Sequence, residues 1–397
     1  MVYDALIVGA GVTGVAIARA LSLKNPTWQI AVVEKEAAVA YHTSGRNSGV
    51  VHPGFNPKPG SLKAQFCVEG NQRLREFCHA AGVPFRDVGM LVVARNSNEI
   101  GTLEELYRRG QANGVPDLKM FSKEELKKQE PHVKGCAALY APTGAVVDSR
   151  LYVQALAQEA SQHGVSFFFG HHVRHIEKST IGYTVYSDYR RFRCAYLINA
   201  AGLYADYIAH KLGVGLDYTV LPFRGEYYKI AERKAQLVRH LVYPAPNLNF
   251  PFLGIHFTPT VDGKLKVGPN AVLALGREAY TNTQINFRET LAMVLDRRTW
   301  QLLQNREFRH VAAHSLRTSL SQRAFFEEAS TLVEGLEEAD LEQGPLPGIR
   351  AQLIDRAGRL VDDMIIERSA NALHILNVVS PGLTCALPFA EYIADLI

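Results

Sequence analysis

The segment Gly9-Ala10-Gly11-Val12-Thr13-Gly14, set between an apolar run and a helical pattern, constrains this chain more than any other feature. Before it, Tyr3-Asp4-Ala5-Leu6-Ile7-Val8 reads as a strand; after it, Val15, Ile17, Ala18, Leu21 and Leu23 recur at helical spacing. Asn25-Pro26 ends that helix, and Gln29-Ile30-Ala31-Val32-Val33-Glu34 is a second apolar strand closed by an acid. Strand, glycine turn, helix and strand make a βαβ dinucleotide-binding unit. Gly9 permits the tight turn, Gly11 lets backbone approach a pyrophosphate, and Gly14 allows close helix packing, while the helix N-terminus faces the negative charge. Glu34 is placed to accept hydrogen bonds from a ribose 2′-OH, with Lys35 beside it, and it disfavours a 2′-phosphate, which argues against NADP.

The turn alone does not separate FAD from NAD, but its position does. The unit starts at residue 3, and a second nucleotide-like strand, Ala195-Tyr196-Leu197-Ile198, ends far downstream in Asn199-Ala200-Ala201-Gly202. A discontinuous flavin domain has this layout, so FAD is favoured.

At 397 residues with 47% hydrophobic and 21% charged, the chain has material for two to three ordinary globular domains. A formal charge of only +4 excludes a dedicated nucleic-acid binder. The five cysteines are odd in number, widely spaced and include no C-x-x-C pair, which argues against a disulfide framework and a zinc site. With no signal pattern and no apolar run long enough to span a bilayer, the expected location is cytoplasmic, with peripheral contact on the inner face of the membrane left open.

The predicted fold class is α/β. A glutathione-reductase-like FAD-binding domain is assembled from residues 1–85, 145–215 and 345–397, and a β-rich α+β substrate domain from 86–144 and 216–344, with a helical excursion over about 281–336. Helices are predicted at Ser61 to Ala81, Glu99 to Asn113 and Ser149 to His163, and Ser122-Lys123-Glu124-Glu125 reads as a capping box. The polar, Gly- and Pro-rich stretch from Ala37 to Gly60 is longer than an ordinary connection and reads as a functional loop.

Within that loop, His42-Thr43-Ser44-Gly45-Arg46-Asn47-Ser48-Gly49-Val50-Val51-His52-Pro53-Gly54 resembles the FAD-dependent D-amino-acid-oxidase-like superfamily, and within it the L-2-hydroxyglutarate dehydrogenase (oxidase) family. The likeness continues through Pro59-Gly60-Ser61-Leu62-Lys63-Ala64, Pro222-Phe223-Arg224-Gly225-Glu226-Tyr227, Phe250 to Pro259, Gly268-Pro269-Asn270-Ala271 and Gly348-Ile349-Arg350-Ala351-Gln352. Two departures stand out: Arg46 where the family often has His, and the glycine-containing Ser380-Pro381-Gly382-Leu383-Thr384. The resemblance implies non-covalent FAD, although His42, His52 and Cys67 are chemically able to hold it covalently. It also implies a dicarboxylate substrate and cofactor contacts from Val12, Thr13, Thr43, Ser44, Arg46, Asn47, Ser48, Gly49 and Val51. Ala200, Ala201, Gly202 and the backbone of Val173, at adenine, complete that side.

Oxidising a 2-hydroxy acid needs a base for the hydroxyl proton, a cation for the carboxylate and a stabiliser for the reduced flavin that accepts hydride at N5. His52 is the first choice of base, since imidazole titrates near working pH and the resemblance implies the same role. His256, in Gly254-Ile255-His256-Phe257-Thr258-Pro259, is a candidate substrate ligand or second acid/base. Arg350 is the preferred carboxylate clamp and Arg224 the second, because a planar guanidinium matches a carboxylate; Tyr227 and Tyr243 are candidate pocket walls. Pro381, Gly382, Leu383 and Thr384 open the last helix, whose amides are expected at the flavin N1/C2 carbonyl edge.

His171, His172 and His175 fall on both faces of a strand, and His310 and His314 lack a third ligand, so no metal is expected. Arg297, Arg298, Arg306, Arg309, Arg317 and Arg323, interleaved with Leu, Phe and Trp300, suggest a face for anionic lipid, from which a quinone would collect electrons. Oxygen is the other acceptor considered. The rival readings are sn-glycerol-3-phosphate oxidation and a non-catalytic flavin-binding redox sensor.

Overall fold

The computed structural model describes every residue except Pro251 and Leu253, which fall in the aromatic Phe250 to Pro259 block. Strand Val2–Val8 pairs in parallel with Ile30–Val33 on one side and with Arg191–Asn199 on the other. Helix Val12–Lys24 makes the crossover that a parallel pair requires. Its small residues Gly14, Ala16, Ala18 and Ala20 suit close packing, and it lies against helices Ser149–Gln162 and Gly382–Asp395. The full eight-stranded sheet adds Ser166–Phe168 beyond Ile30–Val33, the antiparallel strands Val173–Ser179 and Gly182–Ser187 beyond Arg191–Asn199, and the pair Ile365–Ser369 and Ala372–Asn377. The 372–377 strand joins Arg191–Asn199 in parallel, bringing the C-terminal segment beside Ala200 and the glycine turn.

A second eight-stranded sheet is built from Met90–Ala94, Lys119–Ser122, Ala137–Ala141, Tyr228–Ile230, Leu241–Pro244, His256–Pro259, Leu265–Gly268 and Leu341–Gln343. Period-two alternation divides its faces. Leu91, Val93, Val242, Phe257 and Val267 join a core with Phe325, Leu332 and Val333 from the helical region. Tyr243 and His256 point the opposite way.

Three further strands, Val272–Leu273, Thr219–Gly225 and Gly348–Ile354, form a sheet in which Phe223 is paired with Arg350 and Arg224 with Ile349. This sheet ties residues 345–397 to residues 216–344. Nearby, Asp206 on the short helix Ala205–His210 is almost wholly buried; it accepts from Arg277 Nη2 at 2.8 Å and from the Val220 amide at 2.8 Å, tying that helix to strand Thr219–Gly225 and to the segment before the helical excursion.

The excursion is four helices: Phe287–Leu295, Arg297–Gln304, Arg306–Leu320 and Gln322–Ser330. Each break carries its own cap, with Asn286, Asp296, Asn305 and Ser321 side chains accepting from the first-turn amides. Among the described residues no helix is long and apolar enough to cross a membrane.

Candidate active site

Gly9 has φ +106°, a conformation disfavoured for residues with a side chain, and a Cβ there would meet the Ala200 carbonyl oxygen at 2.6 Å. A Cβ on Gly14 would meet the Gly9 carbonyl oxygen at 2.0 Å, so this position serves packing. Gly11, by contrast, has an ordinary backbone with φ −73° at the helix N-cap. Glu34 Oε2 accepts from the Ala10 amide at 2.8 Å and Oε1 from the Glu36 amide at 2.9 Å, which fixes the carboxylate at the end of its strand.

Two cavities meet at this turn and share Gly11, Thr43, Ser44, Ala200 and Gly202. The first, of about 840 Å³, is lined by Gly9, Glu34, Lys35, Val173, Ala201 and the aromatic side chains Tyr41, Tyr204 and Tyr207. The second, at about 1700 Å³ with its open mouth included, is about twice as large. It is lined by Val12, Thr13, Arg46, Asn47, Ser48, His52, Tyr227, Tyr243, Phe252, His256, Asn270, Arg350 and the helix start Pro381-Gly382-Leu383.

Sheet register decides which arginine enters. Arg350 is paired with Phe223, so both are presented to the second cavity, where the guanidinium carbon lies 5.3 Å from the Phe252 ring centroid. Burial pushes Arg350 down to about 10, an effect opposed by Asp362, so it remains a cation at neutral pH. Arg224, one step out of phase, does not line that cavity. Its Nε donates to Glu226 at 3.0 Å, one Nη to the Thr281 carbonyl at 2.9 Å and the other to Asn282, leaving the guanidinium committed to the protein. This corrects its expected place as a second substrate clamp.

The two histidines differ in their hydrogen bonds. His52 Nδ1 accepts from the Gly54 amide at 3.0 Å, so the neutral ring carries its proton on Nε2 and presents a donor. The His52 amide in turn donates to Thr384 Oγ1 at 3.0 Å, and its carbonyl accepts from Asn71 at 3.0 Å. Thr384 therefore anchors the loop from behind and does not line the cavity. His256 Nδ1 lies 2.9 Å from the Gly254 carbonyl oxygen, which can only accept. The neutral ring therefore carries its proton on Nδ1, and the buried Nε2 has no hydrogen-bond partner among the described residues. Burial pushes its pKa down to about 4, which keeps the ring neutral and the Nε2 lone pair available.

Two expected cofactor contacts fall elsewhere. Val51 is completely buried and joins the core, because strand alternation turns Val50 to the cavity instead. Gly49 has φ +71° and abuts the Val147 carbonyl oxygen, a turn position that does not line either cavity. Sequence reasoning missed Tyr41, Tyr204 and Tyr207; the last two follow Ala200-Ala201-Gly202 closely enough to have suggested a wall. It also missed Asn270, whose side chain accepts from the Glu226 amide at 2.9 Å.

One carboxylate–imidazole cluster also went unforeseen, because its members come from distant segments. Glu36, His42 and Glu278 bring their ligand atoms within 4.8 Å of one another. Lys35 occupies the position a cation would take, with Nζ paired to Glu36 and 2.6 Å from Glu278.

Comparison with known proteins agrees with this geometry. Residues 4–396 match the family described as FAD dependent oxidoreductase, DAO. The chain belongs to that family. As a member of it, this oxidoreductase is similar over its full length to the L-2-hydroxyglutarate dehydrogenase of Indibacter alkaliphilus, at 39% identity covering 98% of that protein. Its similarity to the mitochondrial enzyme of that name from Homo sapiens is 35%, over 99% of this chain and 88% of that one. Against the Escherichia coli protein it is 33%, covering all of this chain and 93% of the other. Among solved structures, the FAD-bound L-alpha-glycerophosphate oxidase of Mycoplasma pneumoniae superposes with a TM-score of 0.81 at 27% identity, covering all of this chain and 94% of that one. Glycine oxidase of Geobacillus kaustophilus, at 19% identity and TM-score 0.71 over 99% of this chain and 94% of that one, shares the fold.

The residues present fit FAD, which the family uses. A carboxylate held at the end of the second strand, a turn with a Cβ-free approach at Gly11 and two joined cavities suit an adenosine half and a flavin half.

Proposed function

We propose that this oxidoreductase converts L-2-hydroxyglutarate to 2-oxoglutarate. One observation carries the reading: a half-buried guanidinium and a neutral imidazole with a free lone pair line the same cavity beside the dinucleotide turn. The names of its full-length relatives support the substrate.

A planar guanidinium lining this cavity matches a substrate carboxylate, which it can hold through two parallel hydrogen bonds. Arg350 is therefore the carboxylate clamp. His256 Nε2 takes the hydroxyl proton, which lets the oxygen form the new carbonyl as the α-hydrogen departs with its electron pair. His52, as an Nε2–H donor, orients the hydroxyl or the carboxylate. This reverses the order of the two histidines expected from sequence. Tyr243 and Phe252 provide apolar walls that limit water. Bound FAD supplies the two-electron acceptor. The amide-bearing start of helix Gly382–Asp395 lines the same cavity and gives positive potential to negative charge formed there.

Electrons then leave to a membrane-dissolved quinone, with oxygen the alternative, in a cytoplasmic enzyme that touches the inner membrane face through its helical excursion. The similarity to an L-alpha-glycerophosphate oxidase keeps sn-glycerol 3-phosphate as the second substrate reading. The test is anaerobic mixing of the yellow protein with L-2-hydroxyglutarate, its D-enantiomer and sn-glycerol 3-phosphate, following flavin absorbance near ~450 nm. Bleaching by L-2-hydroxyglutarate alone is expected. Bleaching by glycerol 3-phosphate alone overturns the substrate, and bleaching by none favours a non-catalytic flavin protein.

A further inference from the structure

Lys63 lies in the first turn of helix Leu62–Ala81 with only 5% of its surface exposed. A charge this deeply buried normally has a close partner of opposite sign. Among the described residues its ammonium has one carboxylate beside it, Asp362 at 3.4 Å, which is longer than the usual charge-assisted contact of about 2.7–2.9 Å. Asp363 is committed elsewhere: its carboxylate accepts from the Leu62 amide at 3.0 Å and from the Lys63 amide at 3.1 Å, capping the same helix. Burial pushes the Lys63 ammonium below the ordinary lysine range, and the charge of Arg350 pushes the same way. A methionine would fill this position without that cost, so stability does not account for the charge.

The fold places Asp362 between two cations. Beyond strand Gly348–Ile354 the chain doubles back, with the Val361 amide donating to the Leu353 carbonyl at 2.9 Å and the Val361 carbonyl accepting from Gln352 Nε2 at 2.9 Å. Gln352 is two residues from Arg350, and Val361 precedes Asp362, so this carboxylate stands near the clamp as well as beside Lys63. Its charge acts on both. Asn377 Nδ2 donates to the Asp363 carbonyl at 2.6 Å and fixes the backbone, whereas the Asp362 side chain is 56% exposed and can turn about its own torsions.

A carboxylate so placed competes with substrate. Arg350 lines the cavity, and a guanidinium pairs with an internal carboxylate as readily as with a bound one. With Lys63 present, Asp362 is turned to the ammonium, and two cations share one anion. Without Lys63, Asp362 and Arg350 are left to neutralise one another.

We propose that Lys63 is a positioning residue that holds Asp362 off Arg350, so that the guanidinium meets a substrate carboxylate and not an internal one. The proposal deepens the reading above and rests on it for the role of Arg350 as clamp.

The experiment titrates FAD-loaded, oxidised protein with glutarate, a dicarboxylate without the reacting hydroxyl, and follows the flavin spectrum. Half-saturation and limiting rate of anaerobic bleaching by L-2-hydroxyglutarate give a second reading of affinity and separate binding from chemistry. Lys63→Met should weaken both ligands by about 30-fold, with a limiting rate within about threefold of the parent. Its melting temperature should not fall, because a desolvated charge has been replaced by an apolar side chain of similar length. Asp362→Asn removes the competing anion and should bind at least as tightly as the parent. Lys63→Met combined with Asp362→Asn should return to within about threefold of the parent, a rescue that a purely structural role for Lys63 does not produce.

A double variant as weak as Lys63→Met overturns the proposal, and so does Asp362→Asn binding more weakly than the parent. The second outcome decides the matter even if Lys63→Met fails to fold, since Asp362 is exposed. A parent that binds glutarate but is not bleached by L-2-hydroxyglutarate loses the substrate reading, while the four glutarate affinities still judge the pairing. A parent that responds to neither ligand loses the clamp and this proposal with it.

Discussion

The rings of Tyr243 and His256 lie stacked 3.8 Å apart with 19° between their planes. Adjacent antiparallel strands set this up, since the pairing of Val242 with Phe257 places Tyr243 opposite His256. The stack and the Gly254 carbonyl fix the imidazole, and burial holds it near a pKa of about 4. A dianionic substrate favours the imidazolium and so raises that value in the complex. The acid limb of flavin reduction at saturating L-2-hydroxyglutarate should therefore lie at higher pH than the limb seen at low substrate. His256→Asn should remove both limbs and slow reduction by about 100-fold or more. Stopped-flow pH profiles check this; a limb lost in His52→Asn but kept in His256→Asn would return the base role to His52.

The same burial makes stability pH-dependent. His256 and His374 are both pushed down by burial to about 4 from an ordinary 6.5. Between those values the unfolded chain binds the protons that the folded chain excludes, so stability is full above the ordinary value and falls as pH drops toward 4. From pH 7 to pH 5 each histidine should cost roughly 2 kcal/mol of unfolding free energy. Urea titrations at the two pH values measure it, and His256→Asn should lose correspondingly less than the parent.

Arg350 and Arg224 provide a paired test. Arg350→Ala should weaken L-2-hydroxyglutarate binding by about 100-fold with a small change in melting temperature, and Arg350→Lys should recover only part, because an ammonium lacks the planar fork. Arg224→Ala removes the partner of Glu226 and of two carbonyls from a buried position, and should cost about 3 kcal/mol of stability or more. Binding titrations alongside thermal melts separate the two; loss of affinity without loss of stability in Arg224→Ala would restore it to the site.

What the sequence made legible was local. The glycine turn, its flanking strands and the Glu34 terminus follow from spacing over some thirty residues, and the Ser122–Glu125 capping box forms as read. The choice between Arg350 and Arg224 was not legible, because it depends on the register between strands more than 120 residues apart. Nor was the priority of His52 over His256 decidable, since a hydrogen bond to Nδ1 from Gly54 in one and to Gly254 from the other sets which ring has a lone pair to offer. The resemblance places Val51 at the cofactor together with Thr43, Ser44 and Arg46 to Gly49, whereas alternation turns Val51 into the core. Long-range pairing, not residue type, made each of these distinctions.

The Glu36–His42–Glu278 cluster has the outline of a cation site, and Lys35 answers it. Burial opposes charge on Lys35, yet its ion pairs with Glu278 and Glu36 hold the ammonium above the ordinary lysine range. A second cation would have to displace that ammonium from two carboxylates. Exhaustive dialysis against a chelator should leave flavin content, melting temperature and the rate of bleaching unchanged. A fall in any of them that added divalent metal restores would place an ion in the cluster.

Gly11 offers the sharpest test of the cofactor seat. Its backbone lies in a region open to any residue, and an added Cβ would have only Ser44 Oγ nearby, at 3.1 Å. Gly11→Ala should therefore fold with parental circular dichroism while losing most of its bound FAD, because the methyl group occupies the space a pyrophosphate needs. Gly14→Ala is different in kind: its Cβ would meet the Gly9 carbonyl oxygen at 2.0 Å, so helix packing itself must give way. That variant should melt several degrees lower and lose FAD as a consequence. Flavin absorbance per protein, read beside the melting curve, distinguishes the two. A Gly11→Ala protein that retained full flavin would show that the pyrophosphate does not lie over this turn.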